Sequence, residues 1–558
     1  MSLDAVSITA PPRSRWTVAP AAFLLSITVI GASFLLWKTG YEAQPLWVEH
    51  AAYGMWANVV FHDALTSSGY WPAFLQALHG ARHVLQPSAL ALISARLLSW
   101  PHAHLLITGL TLYLFLDLLA RCVYQRCGSA AVAIGACALF CTFVGLYDSG
   151  GGMGAPWPDY QSMFLLGSAV LALALFAMSE RWLWLVLAGT YASLAALARD
   201  TGSVYAAVTT APAVALLIVR ALWRRQGILR AVTIAFLVAI PAAGAMWMLW
   251  SRIPFFQQYY MTSNAWQLRF PLQSSAASVI RQVIAFCGVL PSLMMVVMLI
   301  GGLVARRPRE ITMADAIVAI WPLAFFSLLV ANGYTTTGTK EVMYIAPGAL
   351  AAIVMIGGVQ MSSGTRRIVF FCGIALCAAG AARTYAENLL KVGAPTSKAI
   401  ALRDSQRALA ATLAAIPRRV SWQSYSAYDW ATVVAALTFY EFGRYQPSES
   451  NAFFNKKNYW DAHYPGMDLS TLEQHLVEQA NREFDVVVVL KDPDHQPDGM
   501  EPYSFSIAAF VAKQISVDPE WMPYRDVPVS GSEVLALYVN RRRMTKTEAS
   551  SEARPIPL

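Results

Sequence analysis

Glu49 and His50 sit in the stretch Leu46-Trp47-Val48-Glu49-His50-Ala51-Ala52-Tyr53, directly after the first long apolar run of the chain. A carboxylate among aromatic side chains, where a chain leaves the hydrocarbon core, has a lipid-borne substrate on one side and water on the other. Within hydrogen-bond reach of an incoming hydroxyl it can take that proton as a general base. Further polar groups recur between later apolar runs. They are Asp63, His79 and Arg82-His83, then Asp148 and Trp157-Pro158-Asp159, then Arg199-Asp200. Beyond these come Arg252, Tyr259, Tyr260, Trp266 and Arg269, and finally Lys340 just before Tyr344. Ionisable groups of this kind recurring between apolar runs suit the working part of a membrane enzyme, with Glu49 as its working group.

The elements that must position these residues are membrane helices. Of 558 residues 56% are hydrophobic and only 13% charged, and mean hydropathy is +0.46, which places the chain among integral membrane proteins. The net charge of +8 would suggest nucleic acid in a soluble protein. Here the basic residues fall in short clusters between apolar runs, as in cytoplasmic loops facing anionic lipid, so nucleic acid is not a partner. Spans are expected at about 17–37, 103–123, 129–147, 159–178, 182–198, 203–222, 231–250, 278–303, 314–331, 342–358 and 366–386.

Arg13 and Arg15 before the first span put the N-terminus inside. Alternation then sends Arg121 and Arg126, Arg181, Arg224-Arg225 with Arg230, Arg306-Arg307 with Arg309, and Arg366-Arg367 to inner loops. Every candidate residue named above falls on the outer side. No small-residue cleavage site follows the first apolar run, which reads as an uncleaved anchor. The long outer loop 38–86 is rich in aromatics that suit short interfacial helices.

After about residue 387 the sequence changes character. Helical patterns at 398–416 and 470–483 alternate with the buried-strand patterns Asp485–Leu490 and Glu533–Val539, which suggests a small outer α/β domain over 387–540. Residues 541–558 read as a polar, structureless tail. The expected fold class is thus a polytopic α-helical membrane protein of about 11 transmembrane helices, residues 1–386, with a C-terminal soluble α/β domain. All seven cysteines lie in or beside apolar runs without zinc or redox spacing and read as packing residues.

An acidic residue followed by Ala-x-Tyr after span 1 resembles the Asp-Glu-x-x-Tyr opening of GT-C glycosyltransferases, of the protein O-mannosyltransferase and aminoarabinose transferase type. Trp157-Pro158-Asp159 is similar to that group's Pro-Asp at the head of a span. Lys340-Glu341-Val342-Met343-Tyr344-Ile345-Ala346-Pro347 is similar to its basic-x-x-Tyr-x-x-Pro approach to a late span. The resemblance covers the layout of the first 386 residues and a few short motifs. It implies a polyprenyl-phosphate sugar donor, a glycan, lipid or protein acceptor hydroxyl on the outer side, and inversion at the anomeric carbon. The first-loop acid, Glu49, would be the base, with Asp159 a second catalytic acid. Arg199, Lys340, Arg269 and Arg82 are candidates to hold the departing phosphate, with His83 beside them and Tyr344 as a neutral donor. The family's acid beside a double proline before span 2 is absent here. A divalent metal would have to draw on nitrogen ligands such as His50, His79 and His83. The implied location is a bacterial inner membrane, N-terminus cytoplasmic and C-terminal domain periplasmic.

Plainer roles compete at several positions. Asp159 can serve as a helix cap or dipole partner, Arg199 can pair with Asp200, and Asp63 reads as structural. His102 and His104 read as interfacial, and the glycines of 150–154 as a flexible loop rather than a phosphate cradle, since no Lys-Ser/Thr follows. Two other classes of function are a lipid or sugar transporter or flippase, which would want ionisable groups in mid-span, and a non-catalytic anchor carrying an envelope-binding domain.

Overall fold

The computed structural model describes residues 15–46, 51, 55–79, 102–148, 152–199, 202–249, 272–305, 311–331, 342–357, 364–426, 430–447, 460, 464, 466–497, 500–529 and 533–547. The membrane part comprises α1 (Arg15–Ala43), the short helices α2 (Trp56–Ser68) and α3 (Tyr70–His79), α4 (His102–Cys127), α5 (Ala130–Phe140), α6 (Pro158–Ser179), α7 (Leu183–Ala198), α8 (Gly202–Trp223), α9 (Ile228–Leu249), α10 (Leu272–Cys287), α11 (Val289–Ala305), α12 (Met313–Ala331), α13 (Ile345–Gly357) and α14 (Gly364–Gly393). Large apolar side chains are exposed along this surface, among them Leu24, Val219, Trp247, Val304 and Ile368. Such a surface requires lipid around it, and the chain is an integral membrane protein.

Helix α6 is the axis of the bundle. It is apolar all round, and 89% of its spanning window is buried by neighbours, against 28% for α1. Close approach is possible where Gly167 lets Trp321 and Phe115 lie against its backbone.

Among the described residues, seven helices are long and apolar enough to cross a membrane, or eight if α10 and α11 form one broken span. All the expected spans coincide with helices, but several are shorter than the apolar runs suggested. α5 stops at Phe140, where the sequence led us to expect helix to about 147. The chain then makes a 3-10 turn, Val144–Tyr147, and the Tyr147 hydroxyl donates to the Cys141 carbonyl left free by the break, at 2.8 Å. The run expected as one span over 278–303 turns by 109° at Gly288, whose φ of +89° is open to glycine. Helix α14 continues to Gly393, past the expected boundary.

The C-terminal domain comprises α15 (Ser397–Ala415), β1 (Trp422–Tyr425), α16 (Trp430–Phe442), α17 (Leu469–Glu483), β2 (Val486–Leu490), α18 (Pro502–Val517), β3 (Trp521–Pro528), β4 (Val534–Asn540) and α19 (Arg541–Thr547). Its sheet is mixed, in the order β1-β2-β4-β3, with β1 parallel to β2 and the other pairs antiparallel. The unbroken Val486–Leu490 is buried throughout, as a central strand requires. Residues 541–547, expected in a structureless tail, are instead helical. Arg543 donates to the Asp485 carboxylate at 3.0 Å, which ties α19 to the start of β2.

Candidate active site

Pro158 opens α6 at a first-turn position where its missing N–H costs nothing, and Asp159 follows in the same turn. Its carboxylate faces the positive end of the most enclosed helix in the bundle. Asp159 is buried and ion-paired with Arg199, the residue that terminates α7 in extended conformation. Asp200, the other partner expected for Arg199, lies outside the described residues. Opposite charges brought together offset part of the cost of taking each out of water, and the guanidinium is oriented by the same contact.

Tyr344 closes the site from a third direction. It ends the 3-10 turn Val342–Tyr344 that leads into α13, is fully buried, and its hydroxyl donates to the Asp159 carbonyl at 3.3 Å. Its ring stacks on Phe325 of α12 at 5.2 Å, and both rings meet Tyr205 of α8 edge-on, at 5.0 and 4.8 Å. The Arg199 guanidinium stands 6.0 Å from the centre of the Tyr205 ring. Helices α6, α7, α8 and α12 and the turn before α13 thus converge on the Asp159–Arg199 pair.

A second buried polar group, shared by α4 and α6, escaped the sequence reading. His104, expected at the interface, is buried in the first turn of α4. Its Nε2 is 3.3 Å from the Thr108 hydroxyl and its Nδ1 is 3.3 Å from the Gln161 amide nitrogen, which also donates to Thr108 at 3.3 Å. The signal lay in spacing: His104 and Thr108 are one helical turn apart and share a face. Gln161 follows Asp159 by two residues.

The described glycines of the 150–154 run are packing residues. A Cβ on Gly154 would lie 2.0 Å from the Ser33 carbonyl oxygen of α1, and one on Gly152 would lie 2.5 Å from the Asp148 carbonyl oxygen. Gly154 lets the loop press onto α1, and Gly152 lets the loop fold back on Asp148.

Helices α2 and α3 cover the same end of the bundle, since Phe61, Ala64, Ala73 and Phe74 pack with Leu197 and Met248 at the ends of α7 and α9. Asp63 has the structural role expected of it, meeting Arg419 of the C-terminal domain at 2.7 Å. Arg419 also covers the ring of Tyr445 at 4.7 Å, and burial together with nearby Asp63 pushes the Tyr445 phenol up to about 12.

Of the residues singled out from sequence, the structure brings together Asp159, Arg199 and Tyr344. Glu49, His50, Arg82, His83, Arg269 and Lys340 lie outside the described residues. Among the described residues no three His, Cys, Asp or Glu side chains group as a metal centre.

No protein-family profile matches the chain, and no curated protein matches it in sequence. Solved structures do. The crystal structure of ArnT from Cupriavidus metallidurans bound to undecaprenyl phosphate aligns with 92% of this chain and 97% of that one, with a TM-score of 0.51 at 13% identity. The same protein in the apo state gives 0.49 at 14% identity over the same shares. The apo oligosaccharyltransferase of Archaeoglobus fulgidus gives 0.45 at 13% identity, over 94% of this chain and 74% of that one. At 13% identity the first match speaks for the fold alone: a polytopic helical membrane domain followed by a domain built on a mixed sheet.

Proposed function

We propose that the protein is a membrane glycosyltransferase that moves a sugar from a polyprenyl-phosphate donor to an acceptor hydroxyl on the extracytoplasmic side. The observation that carries this reading is the meeting of Asp159, Arg199 and Tyr344. They come from three loops that sequence assigns to one side, and they meet at one end of a bundle with the architecture of ArnT. In the proposed reaction the acceptor oxygen attacks the anomeric carbon from the face opposite the phosphate. The bond to the phosphate oxygen breaks with its electron pair, and the acceptor proton passes to Glu49, so configuration inverts. Arg199, Arg269, Lys340 and Arg82 offset the charge that develops on the departing polyprenyl phosphate, with His83 as a neutral donor; Tyr344, expected as a second neutral donor, commits its hydroxyl to the Asp159 carbonyl and steadies that residue instead. Asp159 aims the Arg199 guanidinium. The proposed setting is a bacterial inner membrane with eleven crossings, counting the shorter apolar helices, and a periplasmic C-terminal domain.

The test works whatever the sugar is. Deleting the gene should make one lipid-linked sugar accumulate in host membranes, read by mass spectrometry. The wild-type chain should clear it and Glu49→Gln, present at equal level, should not. Clearance by Glu49→Gln would remove Glu49 from the mechanism, and no accumulation on deletion would remove the transfer reading.

A further inference from the structure

The first outer stretch is held by the opposite end of the chain. α1 ends at Ala43 because Pro45 follows, and its last carbonyls need partners. One face of α15 supplies them. Arg403 Nη1 donates to the Glu42 carbonyl at 3.2 Å, and Arg407 Nη2 donates to the Tyr41 carbonyl at 3.1 Å. Positions 403, 406 and 407 share that face by helical spacing, and two cations at a helix C-terminus also complement its dipole.

Between them stands Gln406, 3% exposed, with both ends of its amide committed to one residue. The Leu46 N–H donates to its Oε1 at 2.9 Å, and its Nε2 donates to the Leu46 carbonyl at 3.2 Å. A side-chain amide thus does for Leu46 what a neighbouring strand would do. On the far side of Glu49, Ala51, Met55 and Val59 are fully buried in the core of the C-terminal domain, with Leu409, Val433 and Trp460. Glu49 is two residues from Ala51, and two residues of extended chain reach at most about 7 Å. Holding both flanks confines where that carboxylate can act.

We infer that Gln406 is a positioning residue: the C-terminal domain, through Gln406 with Arg403 and Arg407, sets the 41–59 stretch that carries Glu49. This rests on the transfer reading above and assigns the domain a task in the reaction itself.

The test uses the full chain in lipid nanodiscs. Gln406→Ala should speed amide hydrogen exchange across 41–59 by about ten-fold or more, with strands 486–490 and 534–540 as protected as in wild type. Undecaprenyl phosphate, used as the binding probe, should bind as tightly as to wild type, while clearance of the accumulating lipid-linked sugar falls about ten-fold. Gln406→Glu keeps an acceptor for the Leu46 N–H and should fall between. Unchanged exchange in 41–59 would overturn the inference. So would faster exchange with undiminished clearance in a host where Glu49→Gln is inactive. If Glu49→Gln clears the lipid as wild type does, the assignment of Glu49 fails instead, and exchange alone decides whether the domain holds the stretch.

Discussion

Both ends of the helical bundle bury an aspartate in the first turn of a helix and pair it with an arginine from another helix, yet the two sites are built differently. At one end Asp315 of α12 meets Arg126 in the last turn of α4. Arg126 Nε donates to both carboxylate oxygens, at 3.1 and 3.2 Å, and Nη2 donates to Oδ2 at 3.0 Å. The Thr312 N–H and hydroxyl donate to Oδ2, each at 2.9 Å, and the Asp315 N–H returns a bond to Thr312. This is a reciprocal helix cap with a forked ion pair on top. At the other end, where α4 begins, Asp159 meets Arg199, but the residue before the helix is Trp157, which offers no capping side chain. Hydroxyl and ring come instead from Tyr344 and Tyr205, residues of other elements. A charge pair closed by its own helix cap secures a helix end. One completed by residues of other elements joins several parts of the bundle at one point.

The sharpest way to break this comparison is to remove each arginine. Arg126→Met leaves a buried carboxylate without its cation and should cost about 3–5 kcal/mol. That would be read as a lower thermal midpoint of the solubilised protein, with clearance per folded molecule close to wild type. Adding Asp315→Asn should recover most of the loss; an unchanged midpoint in the single variant would contradict the staple role. Arg199→Met should lower clearance of the lipid-linked sugar about 100-fold, or about 2.7 kcal/mol, beyond any loss of folded protein. If clearance follows the amount of folded protein in both variants, the two pairs do the same work and the contrast collapses.

A smaller effect belongs to the Asp159 end alone. His62 of α2 lies 5.6 Å from the ring of Phe439 in the C-terminal domain, and burial lowers its pKa below the ordinary 6.5. The folded state therefore resists its protonation. The stability it contributes is full above pH 6.5 and is lost as pH falls through the lowered folded value. The midpoint should decline as pH falls from 6.5 towards that value, and His62→Gln should flatten the decline. A profile unaltered by the substitution would place the acid sensitivity elsewhere.

Much of this was legible in the chain. Apolar runs long enough to span a bilayer mark where the helices are, and Pro158-Asp159 announces a helix start and an acid together. The runs do not show where a helix stops inside apolar sequence, so the break after Phe140 and the turn at Gly288 went unread. β2 and β4 were visible as buried strands. β1 was hidden because its Gln423 and Ser424 are polar yet buried, and β3 because Pro523 and Pro528 mark an edge strand rather than a core one. The site was half visible. Charge sorts residues to a side by expectation, but partnership cannot be read that way: Arg199 meets Asp159, 40 positions back, and His104 turns inward rather than to the interface.

The bond between Leu46 and Gln406 joins residues 360 apart. At about 5–20 residues per second, a ribosome needs roughly 20–70 s after making the first before it reaches the second. Until then the exit of the first helix lacks the partners that complete it, although α1, α2 and α3 have already been synthesised. Competence for the proposed reaction is thus a late event in the life of each nascent chain, and a product cut short before α15 would insert in the membrane without it.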